Sequence, residues 1–220
     1  MPPFALGTEA QLTLEPDERL ELYPGAFLLR GFAAPEDERL RADLEAVAAA
    51  APFRHMQTPG GFRMSVAMTN CGDLGWVSDP TGYRYSGLDP SSGLRWPAMP
   101  AAFASLARSA AAAAGYSEFA ANACLVNRYE PGARLTLHQD KDERDFSQPI
   151  VSVSLGVPAV FLFGGLKRKE RPLRLTLVHG DVVVFGGPSR LRYHGVAALG
   201  VGQHPFAAQA RINLTLRRAG

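Results

Sequence analysis

At residues 135–142 the sequence reads Leu-Thr-Leu-His-Gln-Asp-Lys-Asp, which places an imidazole and a carboxylate two residues apart at the end of an alternating apolar run. Side chains two residues apart lie on the same face of a strand. Thr136, His138 and Asp140 are therefore predicted to point into one space, with the leucines facing the other way. This pair would supply half of a metal site, although a strand end with solvated polar residues has the same pattern.

A third ligand is available downstream in Arg192-Tyr-His-Gly195, where His194 follows the strand-like run at residues 181–185. Two imidazoles and one carboxylate on one side of a metal leave the opposite positions open. Non-haem Fe(II) oxygenases use this arrangement to bind a cosubstrate and dioxygen. We therefore predict a metal site formed by His138, Asp140 and His194.

The stretch at residues 211–217, Arg-Ile-Asn-Leu-Thr-Leu-Arg, alternates strictly between polar and apolar residues. Arg211, Asn213 and Arg217 are thus predicted to share one face of a strand. A solvated edge strand would explain one arginine. Two arginines that face the inside of a barrel need anions as partners, because unpaired buried charge is costly. A dicarboxylate such as 2-oxoglutarate supplies two anions, and guanidinium is well shaped to bind a carboxylate.

Together with Asn127-Arg-Tyr129, these residues resemble the AlkB family of Fe(II)- and 2-oxoglutarate-dependent nucleic-acid demethylases. The resemblance covers residues 52–217, and only the first few dozen residues are undiagnostic. Further stretches that carry it are residues 64–72, 74–76, 96–100, 150–156, 163–168 and 179–184.

The resemblance implies a dioxygenase in which His138, Asp140 and His194 bind Fe(II), with 2-oxoglutarate and O2 as cosubstrates. Arg211 would bind the distal carboxylate of 2-oxoglutarate. The other residues that the resemblance assigns to the cosubstrate are Asn127 and Tyr129, which assist Arg211, and Asn213 and Arg217, which lie nearer the metal-bound end.

The implied reaction is oxidative demethylation of N1-methyladenine and N3-methylcytosine, with release of formaldehyde, as a direct-reversal DNA repair. The expected partner is alkylated single-stranded DNA, with double-stranded DNA and RNA as further candidates, because a base inside a duplex cannot present its alkylated edge. Trp76 would stack on the base opposite the His138 ring, and Asp142 would lie near the exocyclic amine of a cationic base. The remaining assigned substrate contacts are Arg168 and, at the phosphates, Tyr83 and Tyr85.

Three positions depart from the family pattern. Phe185 stands where the family has a tryptophan, and Ile212 and Leu216 stand where it has aromatic residues. All three are expected to lie away from the metal ligands and to affect packing and pocket shape rather than chemistry.

The chain of 220 residues, 46% hydrophobic and 20% charged, is predicted to form one domain over residues 1–220. Helices are expected at residues 35–51 and 100–114, from their caps and apolar spacing. A first strand is expected around residues 26–29. Short strands that follow one another with turns between them indicate a mainly β (α+β) fold, and the metal ligands favour a double-stranded β-helix, the jelly roll of cupins. The later strands are predicted at residues 123–129, 134–138, 149–155, 159–163, 173–178, 181–185 and 210–217.

Residues 53–96 are dense in Gly, Pro, Ser, Asp and aromatic residues, with one alternating piece at residues 62–68. Long loops inside a compact domain are uncommon unless they are functional. The resemblance implies that this segment is a nucleotide-recognition lid, a flexible cover over the active site.

The formal charge of +2 does not by itself indicate a nucleic-acid-binding protein, so any basic surface must be local. Cys71 and Cys124 form no Cys-x-x-Cys pair and are expected to be free, and no apolar segment is long enough to span a bilayer. We expect a monomeric, cytoplasmic protein. Two alternatives stay open: a related oxygenase that acts mainly on RNA or on a small molecule, and a non-catalytic cupin-like module that binds a metal or a dicarboxylate.

Overall fold

The structure, a computed structural model, describes residues 18–220. Within that range it has two helices, α1 (Asp37–Ala50) and α2 (Ala101–Ala113). The strands are β1 (Arg19–Tyr23), β2 (Ala26–Leu29), β3 (Arg54–Gln57), β4 (Arg63–Gly72), β5 (Gly75–Asp79), β6 (Gly82–Ser86), β7 (Ala123–Tyr129), β8 (Leu135–His138), β9 (Ile150–Gly156), β10 (Ala159–Phe163), β11 (Leu173–Leu177), β12 (Val182–Phe185), β13 (His194–Val196) and β14 (Arg211–Arg217).

The strands form two main antiparallel sheets and one separate hairpin. The larger sheet has the order β1-β2-β12-β9-β14-β7-β4-β3, and the smaller has the order β11-β10-β13-β8. Strands β5 and β6 pair only with each other. Strands that follow one another in sequence are often not neighbours in these sheets, as a jelly roll requires. The predicted double-stranded β-helix is therefore confirmed.

Strand β14 lies inside the larger sheet, between β9 and β7, and all seven of its residues are buried. Its even-numbered side chains, Ile212, Leu214 and Leu216, join the core between this sheet and the helices. Its odd-numbered side chains face the other way, toward the space between the two sheets. The strand is thus not a solvated edge, and its arginines point inward as predicted.

Both helices pack apolar side chains on the outer face of the larger sheet. Leu40, Leu44 and Val47 of α1 are buried, as are Phe103 and Leu106 among others in α2. The expected start of α1 at Pro35 falls in a short 3-10 helix, Ala34–Glu36. Neither helix of residues 18–220 has the length and apolar character that a bilayer span requires.

The structure of residues 53–96 differs from the expected long loop, because this segment contains four strands. Strand β4 pairs with β7 from Ala67 opposite Arg128 to Gly72 opposite Ala123, so β3 and β4 extend the larger sheet. Only the β5–β6 hairpin and its connections stand outside the two main sheets. The alternating pattern at residues 62–68 predicted only the first part of β4. The second half of this strand is buried on both faces and no longer alternates.

Candidate active site

Three predicted ligands come from the end of one strand pair. Strand β8 pairs with β13, and His138 lies directly opposite His194. Asp140 follows two residues after His138. One ligand atom from each of the three side chains lies within 4.8 Å of the others, and no second group of this kind occurs in residues 18–220.

The two imidazoles are oriented by main-chain carbonyl groups. His138 Nδ1 donates to the carbonyl oxygen of Thr136 at 2.9 Å, and His194 Nδ1 donates to that of Arg192 at 3.0 Å. A carbonyl can only accept, so each Nδ1 carries a proton, and Nε2 is the ring atom left to bind a metal. The Nε2 atoms lie 3.7 Å (His138) and 3.4 Å (His194) from the carboxylate oxygens of Asp140. Both rings therefore present a ligand atom toward the same point.

The charge state of these groups also suits a divalent metal. Desolvation lowers the pKa of His138 to about 4, and the neighbouring His194 ring adds to this shift. Desolvation alone would raise the pKa of Asp140, but Arg217 and then His194 hold it well below its usual range. Two imidazoles and one carboxylate are the ligand set that Fe(II) binds in this arrangement.

Arg211, predicted to bind the cosubstrate, lies in the same cavity. The residue is 1% exposed, and its Nη2 donates to Ser154 Oγ at 2.9 Å. Its Nε and Nη1 atoms are buried and have no hydrogen-bond partner. The guanidinium carbon lies 5.1 Å from the centre of the Tyr129 ring. Because buried donors normally have acceptors, these unpartnered donors indicate that the guanidinium binds an anion, and a carboxylate of 2-oxoglutarate is such a partner.

Three further residues predicted for the cosubstrate, Asn127, Asn213 and Arg217, line the same cavity, and each has a hydrogen-bond partner within the protein. Arg217 Nη2 donates to Asp140 Oδ2 at 2.6 Å, and its Nε lies 3.2 Å from Glu143 Oε1. Asn213 Nδ2 donates to Ser152 Oγ at 2.9 Å, and its Oδ1 accepts from Asn127 Nδ2 at 3.2 Å. Asn213 therefore orients Asn127, whose own Oδ1 is buried without a partner.

The cavity that joins these groups has a volume of about 480 Å³ and opens between the two sheets and the β5–β6 hairpin. This volume suits a small ligand together with one base. Besides the metal ligands and the cavity-facing side chains of β14, four residues that were predicted to contact the substrate line this cavity: Trp76, Tyr83, Asp142 and Arg168.

Trp76 is fixed on two sides. Its ring stacks on Tyr83 with 5.6 Å between centroids and 13° between planes, and its Nε1 donates to Asp142 Oδ2 at 2.8 Å. Tyr83 therefore supports the tryptophan ring, in addition to any contact that it makes with phosphate. Asp142, predicted to face the substrate base, also holds Trp76.

Tyr85 does not lie as predicted for a phosphate contact. Its hydroxyl donates to Glu143 Oε1 at 2.7 Å, and the residue does not line the cavity. Desolvation raises its pKa, so the hydroxyl keeps its proton. The physical reason is that the Glu143 carboxylate is buried beneath the hairpin and accepts a hydrogen bond from this hydroxyl, which therefore points into the protein.

Phe185 also departs from expectation, because it is not remote from the metal ligands. Its ring centroid lies 5.0 Å from that of His194, in an edge-to-face arrangement, and it lines the cavity. Ile212 and Leu216 lie in the core on the helix side of the sheet, away from the ligands as predicted.

Sequence reasoning missed two residues of the site, Glu143 and Arg190. Both are buried, and Arg190 Nη2 lies 3.0 Å from Glu143 Oε2. In the sequence Glu143 belongs to an acidic and basic run at residues 140–145 that is indistinguishable from a solvated loop. No periodic signal identifies it.

Comparison with known proteins agrees with this geometry. The family model for the 2OG-Fe(II) oxygenase superfamily matches residues 25–217. The fold, the ligand triad and this match define an Fe(II)- and 2-oxoglutarate-dependent dioxygenase.

Among individual proteins, the chain is 58% identical to the alpha-ketoglutarate-dependent dioxygenase AlkB of Escherichia coli over 199 residues, covering 90% of this chain and 92% of that protein. It is 47% identical to the AlkB homolog of Caulobacter vibrioides over 183 residues, covering 81% of each. The solved structure of OsALKBH1 superposes with a TM-score of 0.78 at 29% identity, covering 91% of this chain and all of that one. The chain belongs to the AlkB family of dioxygenases.

Proposed function

We propose that this protein removes methyl groups from N1-methyladenine and N3-methylcytosine in single-stranded or flipped-out DNA. The observation that carries the proposal is the Trp76–Asp142 pair, which lies in the same cavity as the metal ligands and Arg211. An aromatic plane next to a carboxylate suits a flat base that carries positive charge. Methylation at these ring nitrogens produces such a base.

One end of the cavity binds the cosubstrate and the other binds the metal. Arg211, whose guanidinium has buried donors without an acceptor in the protein, receives the distal carboxylate of 2-oxoglutarate, and Tyr129 packs beside it. His138, Asp140 and His194 hold Fe(II), which supplies the oxidation of the methyl group when 2-oxoglutarate and O2 are bound. The hydroxymethylated base then loses formaldehyde, and the unmodified base remains.

The substrate base has to leave its stack to reach this site. Trp76 offers it a stacking surface, and stacking of this kind tolerates any base. The nearby Asp142 carboxylate favours a cationic ring over a neutral one. Arg168, exposed at the turn that follows β10, lies at the cavity rim, where it can meet a phosphate or the edge of the base.

We also infer that the protein acts as a monomer in the cytoplasm. Every catalytic group described above comes from one chain. Cys71 and Cys124 are both buried and free, although they lie opposite each other on β4 and β7. Unbridged cysteines in this position suit a reducing compartment.

The test is a reaction with oligonucleotides that contain one N1-methyladenine or N3-methylcytosine. With Fe(II) and 2-oxoglutarate, the protein should release succinate and formaldehyde in equal amounts and restore the unmodified base. A matched oligonucleotide without the methyl group should give no formaldehyde. Succinate release that is insensitive to the methylated base would contradict the proposal, and comparison of DNA with RNA of the same sequence tests the preference for DNA.

A further inference from the structure

Glu143 is a buried carboxylate that the proposed reaction does not use. Its side chain is 2% exposed. Oε1 accepts from the Tyr85 hydroxyl at 2.7 Å and lies 3.2 Å from Arg217 Nε, while Oε2 lies 3.0 Å from Arg190 Nη2. A buried charge needs such partners, so these contacts determine where each of the three partner side chains can lie.

On one side, the partners of Glu143 lead to the metal ligand Asp140. Arg217 Nη2 donates to Asp140 Oδ2 at 2.6 Å, and Arg190 Nη1 donates to the main-chain oxygen of Asp140 at 2.8 Å. Both arginines that contact Glu143 therefore also hold Asp140, one at its carboxylate and one at its backbone.

On the other side, Tyr85 leads to the β5–β6 hairpin. Tyr85 lies directly opposite Trp76 in the pairing of these strands, so both side chains are on the same face of the hairpin. This hairpin shares no strand pairing with either main sheet. Tyr85 to Glu143 and Trp76 to Asp142 are thus two side-chain hydrogen bonds from the hairpin to consecutive residues that closely follow Asp140.

We infer that Glu143 is a positioning residue that fixes the base-stacking hairpin relative to the metal ligand Asp140. Its hydrogen bond with Tyr85 holds the hairpin, and its ion pairs with Arg217 and Arg190 hold Asp140. The inference rests on the proposed function for its catalytic consequence, which is that Trp76 presents the methyl group at a constant distance from the metal. The structural link itself does not depend on which base is the substrate.

The test separates the two sides of Glu143 with two variants and a control. Tyr85→Phe removes only the hydroxyl that binds Glu143, and Glu143→Gln keeps the shape but removes the charge that both arginines neutralise. The control is Tyr116→Phe, which removes a tyrosine hydroxyl bonded to Gly25 O at 2.8 Å, on the helix side of the fold. Four quantities are measured for the full chain: amide hydrogen exchange of residues 75–86, the affinity for Mn(II) with 2-oxoglutarate, and KM and kcat for methylated oligonucleotide.

Tyr85→Phe should speed hydrogen exchange in residues 75–86 and raise the oligonucleotide KM by about tenfold, the scale of one lost hydrogen bond to a charged group. The same variant should leave Mn(II) affinity unchanged and lower kcat less than it raises KM. Glu143→Gln should speed the same exchange and also weaken Mn(II) binding. Tyr116→Phe should do neither, apart from a comparable loss of global stability.

Exchange in residues 75–86 that is equal in Tyr85→Phe and Tyr116→Phe would overturn the inference, as would unchanged Mn(II) affinity in Glu143→Gln. If Glu143→Gln does not fold, Tyr85→Phe against its control still decides the hairpin side. If the wild-type protein demethylates neither lesion, the proposed function fails, but hydrogen exchange and Mn(II) affinity still test the link through Glu143.

Discussion

Replacing Arg211 with methionine should separate the stability of the ligand-free protein from its affinity for 2-oxoglutarate. The side chain is buried, and its Nε and Nη1 atoms have no acceptor within the protein. Each hydrogen bond to a charged group contributes about 1.5–3 kcal/mol, which corresponds to roughly 10- to 150-fold in affinity. We therefore expect Arg211→Met to weaken 2-oxoglutarate binding by at least about tenfold, and Arg211→Lys, which keeps the charge but loses the fork, by less.

The ligand-free protein should respond differently. A buried donor without a partner costs about 1–3 kcal/mol, so removal of the two unpartnered donors should offset the packing lost against Tyr129 and the hydrogen bond lost to Ser154. We expect the free energy of unfolding of metal-free Arg211→Met to be no lower than that of the wild type. Addition of 2-oxoglutarate, by contrast, should add little to the free energy of unfolding of Arg211→Met. At 100 times the wild-type Kd, 2-oxoglutarate adds about 2.7 kcal/mol to the wild type but only about 0.4 kcal/mol to a variant that binds 100-fold more weakly.

The assay is urea unfolding with and without 2-oxoglutarate, together with calorimetric titration of the Mn(II)-loaded protein. The matched control is Arg128→Met on the neighbouring strand, because Arg128 is absent from the cavity lining and forms a pair with Glu130 at 2.7 Å. That variant should bind 2-oxoglutarate as the wild type does. Equal affinities for 2-oxoglutarate in wild type and Arg211→Met would refute the assignment of Arg211 to the cosubstrate.

Other variants test the remaining parts of the site. Asp140→Ala removes the anionic ligand and should abolish turnover and Mn(II) binding while circular dichroism shows an intact fold; activity at the wild-type level would refute the triad. Trp76→Ala should weaken binding of all methylated oligonucleotides alike, by about 1–3 kcal/mol, as measured by fluorescence anisotropy. Asp142→Asn keeps an acceptor for the Trp76 indole but loses the charge, so turnover should fall more on N1-methyladenine and N3-methylcytosine than on the neutral N1-methylguanine. Asp142→Ala should depress turnover on all three lesions. Equal effects of Asp142→Asn on the three lesions would refute the proposal that Asp142 acts through its charge. Burial lowers the pKa of His179 against the opposing effect of Asp37, so the unfolded chain binds its proton more tightly and stability should fall as the pH drops below about 6.5; urea unfolding from pH 7.5 to 5.5 should show a shallower fall in His179→Gln.

Strict alternation made the last strand predictable. In β14 every second residue is polar, and the structure places Arg211, Asn213 and Arg217 on the cavity side and the apolar residues on the helix side. The same rule applied to β8, where His138 faces His194 across the strand pair. A period of two directly specifies which side chains share a face, so these residues could be placed before the fold was known.

Strands that are buried on both faces gave no such signal. In β4 residues 68–71 are all buried, and they include Thr69 and Asn70, whose polar side chains are satisfied by main-chain groups of other segments. Their hydrogen bonds connect to Ala51 and Trp76, contacts that depend on the assembled sheet. A polar residue in such a run resembles a loop in the sequence, and for this reason the sequence predicts a long loop where the edge of the larger sheet lies.

The roles of Tyr85 and Glu143 lie beyond sequence reasoning for a related reason. Strand β8 ends at His138, so from Asp140 onward the direction of each side chain is determined by its partner and not by a repeat. Asp140 faces the imidazoles, Asp142 faces the Trp76 indole, and Glu143 turns inward to two arginines and a tyrosine. Three carboxylates within four residues would repel one another strongly if all were held near one metal. Arg190 and Arg217 neutralise the buried pair formed by Asp140 and Glu143, which leaves the third carboxylate, on Asp142, at the cavity, where the proposed function assigns it to the positive charge of the substrate base.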